Sequence, residues 1–196
     1  IDLPFNLSQK EPSILEIMKY NPSLLSFSGD KLLGSVQAGI IIGKKELIEK
    51  IKKNQLLRML RVDKITLSIL EDTLNSYLKN ELHDIPTLNM LFATLETLEQ
   101  KANSLFEKIK DICKCEIIKT QTLIGGGTTP NKKIPSIALC IKDETYKPNQ
   151  LEKLLRKNNL IARIENEKLL LDFRTIQENE IEKIAVIIKK IFQRAN

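Results

Sequence analysis

Apolar residues in the first part of the chain come in short runs separated by turn signals. Ile14, Leu15 and Met18 keep helical spacing behind Pro12, which suits a helix's first turn, and Asn21-Pro22 ends the segment. Leu24 to Ser28 then reads as a short extended run, Gly29-Asp30 breaks it, and Ala38 to Gly43 reads as a second, buried strand. The predicted order is strand, glycine-bounded loop, strand. A charged helix is expected from Lys44 to about Lys53, and Leu67, Leu70, Leu74, Tyr77 and Leu78 keep helical spacing in another. Both fit surface helices over a sheet whose strands are interior ones.

From Pro86 the pattern lengthens. Leu88, Leu91, Leu95, Leu98, Ala102, Leu105, Ile109 and Ile112 follow one another in steps of three and four, which predicts one continuous helix of the kind that bridges two domains. After it come short strands around Glu116 to Leu123, Pro135 to Ile141, Leu160 to Ile164 and Leu169 to Phe173. Helices from Gln150 to Asn158 and from Glu178 to Arg194 interleave them. The last carries Ile181, Ile184, Ala185, Ile188, Ile191 and Phe192 on one face, as a helix packed on a small sheet would. The expected division is residues 1–85 as part of one domain and 86–196 as a small α+β domain.

Composition adds a few bounds. At 196 residues and 42% hydrophobic the chain can bury a core, and no apolar run approaches the length that crosses a bilayer. No basic segment followed by an apolar one opens the chain, so nothing argues for export, and a cytoplasmic location is expected. The first residue is Ile1 and not Met, which points to a piece of something longer. Cys113, Cys115 and Cys140 lack the spacing of a structural zinc site, so no metal is expected and they are read as reduced, mostly buried thiols.

The net charge of +6 is concentrated between Lys44 and Lys64, where eight basic residues face three acids. Such a field draws anions, phosphates or nucleic acid among them, although for the lysines a solvated helix face is the preferred reading. With 5% aromatic residues and no RNA motif, a generic RNA-binding domain ranks last among the readings.

The segment richest in chemistry is Ser26-Phe27-Ser28-Gly29-Asp30-Lys31-Leu32-Leu33-Gly34, followed by Gln37-Ala38-Gly39. A lysine between two glycines, in a loop joining apolar strands, could be a partly buried amine of lowered pKa, nucleophilic toward a carbonyl. Ser28 could offer its hydroxyl to a phosphate while the glycines let backbone approach closely. On pattern alone an ordinary turn with a solvated lysine explains the same residues. His83, in a polar stretch before Pro86, is read as a surface residue.

The run from Ser26 to Gly43, SFSGDKLLGSVQAGIIIG, resembles the segment around the pyridoxal-phosphate lysine in the bacterial selenocysteine synthase (L-seryl-tRNA(Sec) selenium transferase) family. The resemblance continues through KKELIEKIKKNQLLRMLRVDKITLSILEDTLNSYL, IPTLNML, GGGTTP with IPSIAL, and ARIENEKLLLDFRT. It implies an α/β, fold-type I pyridoxal-phosphate transferase, of which this chain is the C-terminal part of the large domain plus the small domain. It also implies conversion of seryl-tRNA(Sec) to selenocysteinyl-tRNA(Sec) with selenophosphate, by a homo-oligomer built from dimers.

Position by position, the resemblance makes Lys31 the cofactor-bearing lysine. Ser28, Asp30, Gln37 and Gly39 become cofactor-site residues, and Arg58 and Arg61 become ligands of the anionic selenium donor. Three residues apart, the two arginines would share a face if their turn is helical. Arg174, in LDFRT, falls where related enzymes bring an arginine to a substrate carboxylate, but a seryl ester lacks that carboxylate and a structural role suits it better. The sequence departs from the family pattern at Gly34-Ser35-Val36-Gln37 and at Gly125 to Pro130, the latter suiting a loop or an anion contact. The cofactor's ring-stacking residue and the aspartate for its pyridine nitrogen would lie upstream. Two rival readings are another fold-type I β-elimination or carbon–sulfur enzyme, and a non-catalytic remnant or oligomerisation module.

Overall fold

The computed structural model describes residues 12–125, 133–142 and 146–193. These form two compact units, one ending at Phe92 and the other running from Ala93 to Leu123 and from Lys133 onward.

In the first unit, a short helix α1 (Ile14–Met18) is capped by Ser13, whose hydroxyl accepts from the Glu16 amide while the Glu16 carboxylate accepts from the Ser13 amide. Pro12 therefore precedes the cap, outside the first helical turn. Strands β1 (Leu24–Ser28) and β2 (Gly39–Gly43) pair antiparallel, with Ser28 opposite Gly39 and Leu24 opposite Gly43. Both strands alternate exposed and half-buried positions, so β2 is not the buried strand its Ile-rich sequence predicts. Among the described residues the sheet has two strands and no layer over its outer face, so half of each strand meets solvent. Helix α2 (Lys45–Lys52) and a 3-10 turn (Gln55–Arg58) lead to α3 (Lys64–Lys79). Asp63 caps α3 through Oδ1, accepting from the Ile65 and Thr66 amides at 2.7 and 3.0 Å. Asn80 closes the helix in the left-handed conformation.

The helix expected to run unbroken from Pro86 is two helices. Helix α4 (Pro86–Phe92) stops, and α5 (Leu95–Ile109) begins anew at an N-cap, Thr94, whose hydroxyl accepts from the Thr97 amide at 3.2 Å. Apolar spacing alone cannot register this break, because the stripe keeps its phase across residues 93 and 94. The two units divide at the same place.

The second unit is a four-stranded antiparallel sheet in the order β3 (Lys114–Leu123), β4 (Lys133–Lys142), β6 (Lys168–Asp172), β5 (Arg163–Glu165). Asn166 and Glu167 join β5 to β6 and both have positive φ, as a two-residue hairpin turn requires. Helices α5, α6 (Pro148–Lys157) and α7 (Ile181–Phe192) cover one face. Leu105, Ile109, Leu139, Leu155, Phe173 and Ile188 are fully buried between helices and sheet. This periodic burial of α5 and α7 is what the sequence pattern predicts. No helix of the described residues is long and apolar enough to cross a membrane.

Candidate functional site

The loop from Gly29 to Ala38, which carries Lys31, is ordered by its own backbone. Gly29 donates to the Ala38 carbonyl at 2.8 Å, Ser35 donates to the Gly29 carbonyl at 2.9 Å, and Gly34 donates to the Lys31 carbonyl at 2.9 Å. Two glycines are required by packing. A Cβ on Gly29 would stand 2.5 Å from the Val36 carbonyl oxygen, and Gly34 has φ +75° with Ile85 Cγ2 2.5 Å from the place of a Cβ.

Ser28 and Gly39 are cross-strand partners on the exposed face of the hairpin, where a Cβ on Gly39 would meet nothing within 4 Å. The structure thus brings two of the expected cofactor-site residues together. Asp30, Lys31 and Gln37 lie in the intervening loop, all exposed. Lys31 is therefore not the partly buried amine anticipated above, because none of the described residues covers the outer side of the loop. The residues present fit a pyridoxal phosphate in kind. They offer a primary amine for the aldehyde, a hydroxyl for the phosphate, and a glycine that leaves open space beside that hydroxyl.

Sequence reasoning missed what holds this loop in place. The Tyr77 hydroxyl, on α3, donates to the Leu33 carbonyl at 3.0 Å, and the Ser35 and Thr73 hydroxyls are 2.8 Å apart. Thr73 gives its own hydrogen to the Ile69 carbonyl at 3.0 Å, which leaves Ser35 to donate to Thr73. Burial pushes the Tyr77 phenol's pKa up, keeping it protonated as a donor. Only the helical spacing of Thr73 and Tyr77 on one face of α3 hinted at this.

Arg58 and Arg61 are both exposed, with Asp63 just beyond them. The shared helical face expected for them is not formed, because the 3-10 turn ends at Arg58 and Arg61 lies in irregular chain leading to the Asp63 cap. The hydrogen bonds from the Thr66 amide and hydroxyl, and then from the Ile65 amide, hold the Asp63 carboxyl below its ordinary pKa. Asp63 is thus committed to the helix terminus.

In the second unit Arg174 is buried, and its guanidinium donates to the carbonyls of Ala93 (3.0 Å) and Pro135 (2.6 Å). Beside it, Asp172 accepts from the Ser136 hydroxyl at 2.5 Å and from the Arg174 amide at 3.1 Å, and it faces Arg163 at 3.1 Å. These contacts give Arg174 a structural role. Gly126 and Gly127 of the glycine run, and Arg194, fall outside the described residues. Cys113 and Cys140 are buried, Cys115 is half-buried, and the three form no disulfide. His83 is exposed, 3.2 Å from Asp84.

A family model described as L-seryl-tRNA selenium transferase matches residues 1–177. The chain belongs to that family. Among curated relatives, the L-seryl-tRNA(Sec) selenium transferase of Aliarcobacter butzleri is 71% identical over 98% of this chain and 43% of its own length. The enzyme of the same name from Sulfurimonas denitrificans is 63% identical over 97% of this chain and 42% of its own. That from Nautilia profundicola is 56% identical over 96% and 41%. The chain thus spans less than half the length of the selenium transferases it matches. Among solved structures, an ornithine aminotransferase from Plasmodium yoelii has a TM-score of 0.38 at 16% identity, covering 92% of this chain and 44% of that one, a likeness too low to carry a fold assignment.

Proposed function

We propose that this chain is the cofactor-lysine portion of a selenium transferase that converts seryl-tRNA(Sec) to selenocysteinyl-tRNA(Sec) with selenophosphate. Family membership over residues 1–177 is the observation that carries the reading. Lys31, exposed on a loop fixed at both ends by the β1–β2 pairing, supports it. In this reading residues 1–85 belong to the large domain of a fold-type I enzyme and residues 86–196 form its small domain. The whole enzyme is a cytoplasmic homo-oligomer built from dimers.

Lys31 would hold the cofactor, and its amine, once released, would take the α-proton of the bound seryl group. Pyridoxal phosphate, when bound, supplies the electron sink that makes this proton removable and lets the β-hydroxyl leave. Ser28 would accept or donate a hydrogen bond at the cofactor phosphate, with Gly39 leaving the space beside it. Asp30 and Gln37 would line the same rim. Arg58 and Arg61, both in the basic stretch before α3, would bind the anionic selenium donor through charge-assisted hydrogen bonds. They would do so from separate backbone segments rather than from one helical face.

A chimera in which this chain replaces the matched segment of the Aliarcobacter butzleri relative tests the reading. Borohydride reduction in the presence of pyridoxal phosphate, followed by peptide mapping, should place the label on Lys31. Label on another lysine, or bound cofactor that leaves no label, rejects the assignment.

A further inference from the structure

The loop that presents Lys31 is joined to α3 by two contacts that the proposed chemistry does not use. Tyr77 reaches it across 44 positions to bond the Leu33 carbonyl, and Thr73 across 38 to bond the Ser35 hydroxyl. Both partners sit within four residues of Lys31, on the side toward Gly34, where the chain turns left-handed. The backbone bonds of this stretch fix the loop's shape but tie it only to the hairpin. Among the described residues, these two are the side-chain hydrogen bonds that hold the turn at residues 31–35 against the helix. We propose that Tyr77 and Thr73 are positioning residues for Lys31, clamping the turn of the loop to α3 so that the amine is presented in one place.

The clamp has a consequence for the basic segment as well. Asp63 caps the start of α3, two residues beyond Arg61, and Thr73 and Tyr77 stand later on the same helix. A single rigid element therefore runs from the arginine-bearing segment to the lysine-bearing loop, and the register between them is set by the two hydroxyls. This inference rests on Lys31 being the cofactor lysine, whereas the clamp's mechanical effect can be measured independently.

The experiment uses the chimera with the Aliarcobacter butzleri relative and its Tyr77→Phe, Thr73→Val, double and Thr73→Ser variants, with residues numbered as in this chain. Two readouts are taken together. One is hydrogen–deuterium exchange at the Gly34 and Ser35 amides. The other is the share of pyridoxal-phosphate label that borohydride traps at Lys31 relative to the other lysines. In the double variant, exchange is expected to rise about tenfold, as loss of two half-buried hydrogen bonds implies, and the Lys31 share is expected to fall. Thr73→Ser, which keeps the hydroxyl, is expected to match the unsubstituted chimera in both. Label at Lys31 with neither readout altered in the double variant overturns the clamp and leaves the cofactor assignment standing. Faster exchange with an unchanged Lys31 share also overturns the proposal, since the contacts would then be structural only. Absence of label at Lys31 in the unsubstituted chimera overturns the cofactor assignment, and the positioning role with it.

Discussion

Gly34 is packed backbone-first against Ile85, so closely that a Cβ added at Gly34 would lie 2.5 Å from the Ile85 Cγ2 atom. Ile85 is buried and cannot swing into solvent to relieve the contact. The φ of +75° adds a second penalty for any residue with a side chain. Gly34→Ala is therefore expected to destabilise the loop by about 2 kcal/mol or more, from left-handed strain plus overpacking. Hydrogen exchange over residues 29–38 should accelerate in the variant. Unchanged protection there would refute the tight packing of Gly34 on Ile85.

Much of this architecture is legible in the sequence because local periodicity writes it. The burial of Leu98, Ala102, Leu105 and Ile109 on α5, and of Ile181, Ile184, Ala185 and Ile188 on α7, follows from steps of three and four. The two strands on either side of the Lys31 loop follow from short apolar runs bounded by glycine, whereas the pairing of Ser28 with Gly39 comes from the structure. What the pattern could not convey depends on capping or on distant partners. The Thr94 cap interrupts a stripe that keeps perfect phase, and the Tyr77–Leu33 bond joins residues 44 positions apart. Arg61 leaves the helical turn because Asp63 starts a new helix, a competition that residue spacing alone does not reveal. The exposure of Lys31 and β2 has another origin, since the strands read as interior ones lack a covering layer among the described residues.

Arg58 and Arg61 lie on different backbone segments, so their contributions to anion binding should be separable. In the chimeric full-length enzyme, Arg58→Ala and Arg61→Ala are each expected to cost roughly 1.5–3 kcal/mol in selenium transfer, with little change in cofactor retention. Kinetics varied in selenophosphate check this. Selenophosphate dependence that is the same in both variants as in the parent would remove the arginines from the donor site.

Arg174, just beyond β6, donates to the carbonyls of Ala93 and Pro135 and so joins the end of that strand to both. Arg174→Met would leave those buried acceptors short of donors, and the expected loss is about 3 kcal/mol or more of stability in the second unit. Urea unfolding followed at the α5 and α7 helices measures it. A midpoint equal to that of the unsubstituted chain would show that the guanidinium contributes little to the fold.

The thiols should be slow to react. Burial raises the pKa of Cys115 and Cys140, so at any pH near neutrality each carries less thiolate than a free cysteine. The sign follows from the thiolate being the charged form, which burial disfavours. With a disulfide reagent at pH 8, Cys115 is expected to react first and slowly, since it alone is half-buried, and Cys113 and Cys140 only on unfolding. Rapid modification of all three in the native chain would contradict the burial.

The two units differ most in how much apolar surface each buries. The second unit encloses a continuous core between its sheet and α5, α6 and α7. Among the described residues of the first unit, the buried apolar side chains are Ala38, Ile85, Leu88 and Leu91. Against them stand Met59 at 77% exposed, Leu60 at 74%, Ile65 at 67% and Leu78 at 84%. At about 25 cal/mol per Å² of apolar area left in water, four such side chains forgo several kcal/mol that a fully packed domain would gain. Exposed large apolar side chains in such number also promote association. The isolated chain is therefore expected to show its slowest amide exchange at core residues such as Ile109, Leu139 and Ile188. Amides of α2 and α3 should exchange at least tenfold faster, because local opening there exposes little further surface. Binding of a hydrophobic dye and concentration-dependent self-association should accompany this. Both should weaken in a Leu60→Glu, Leu78→Glu variant whose second-unit exchange is unaltered. Equal protection of α3 and α5 in a monomeric chain would show that the first unit holds together without further apolar cover.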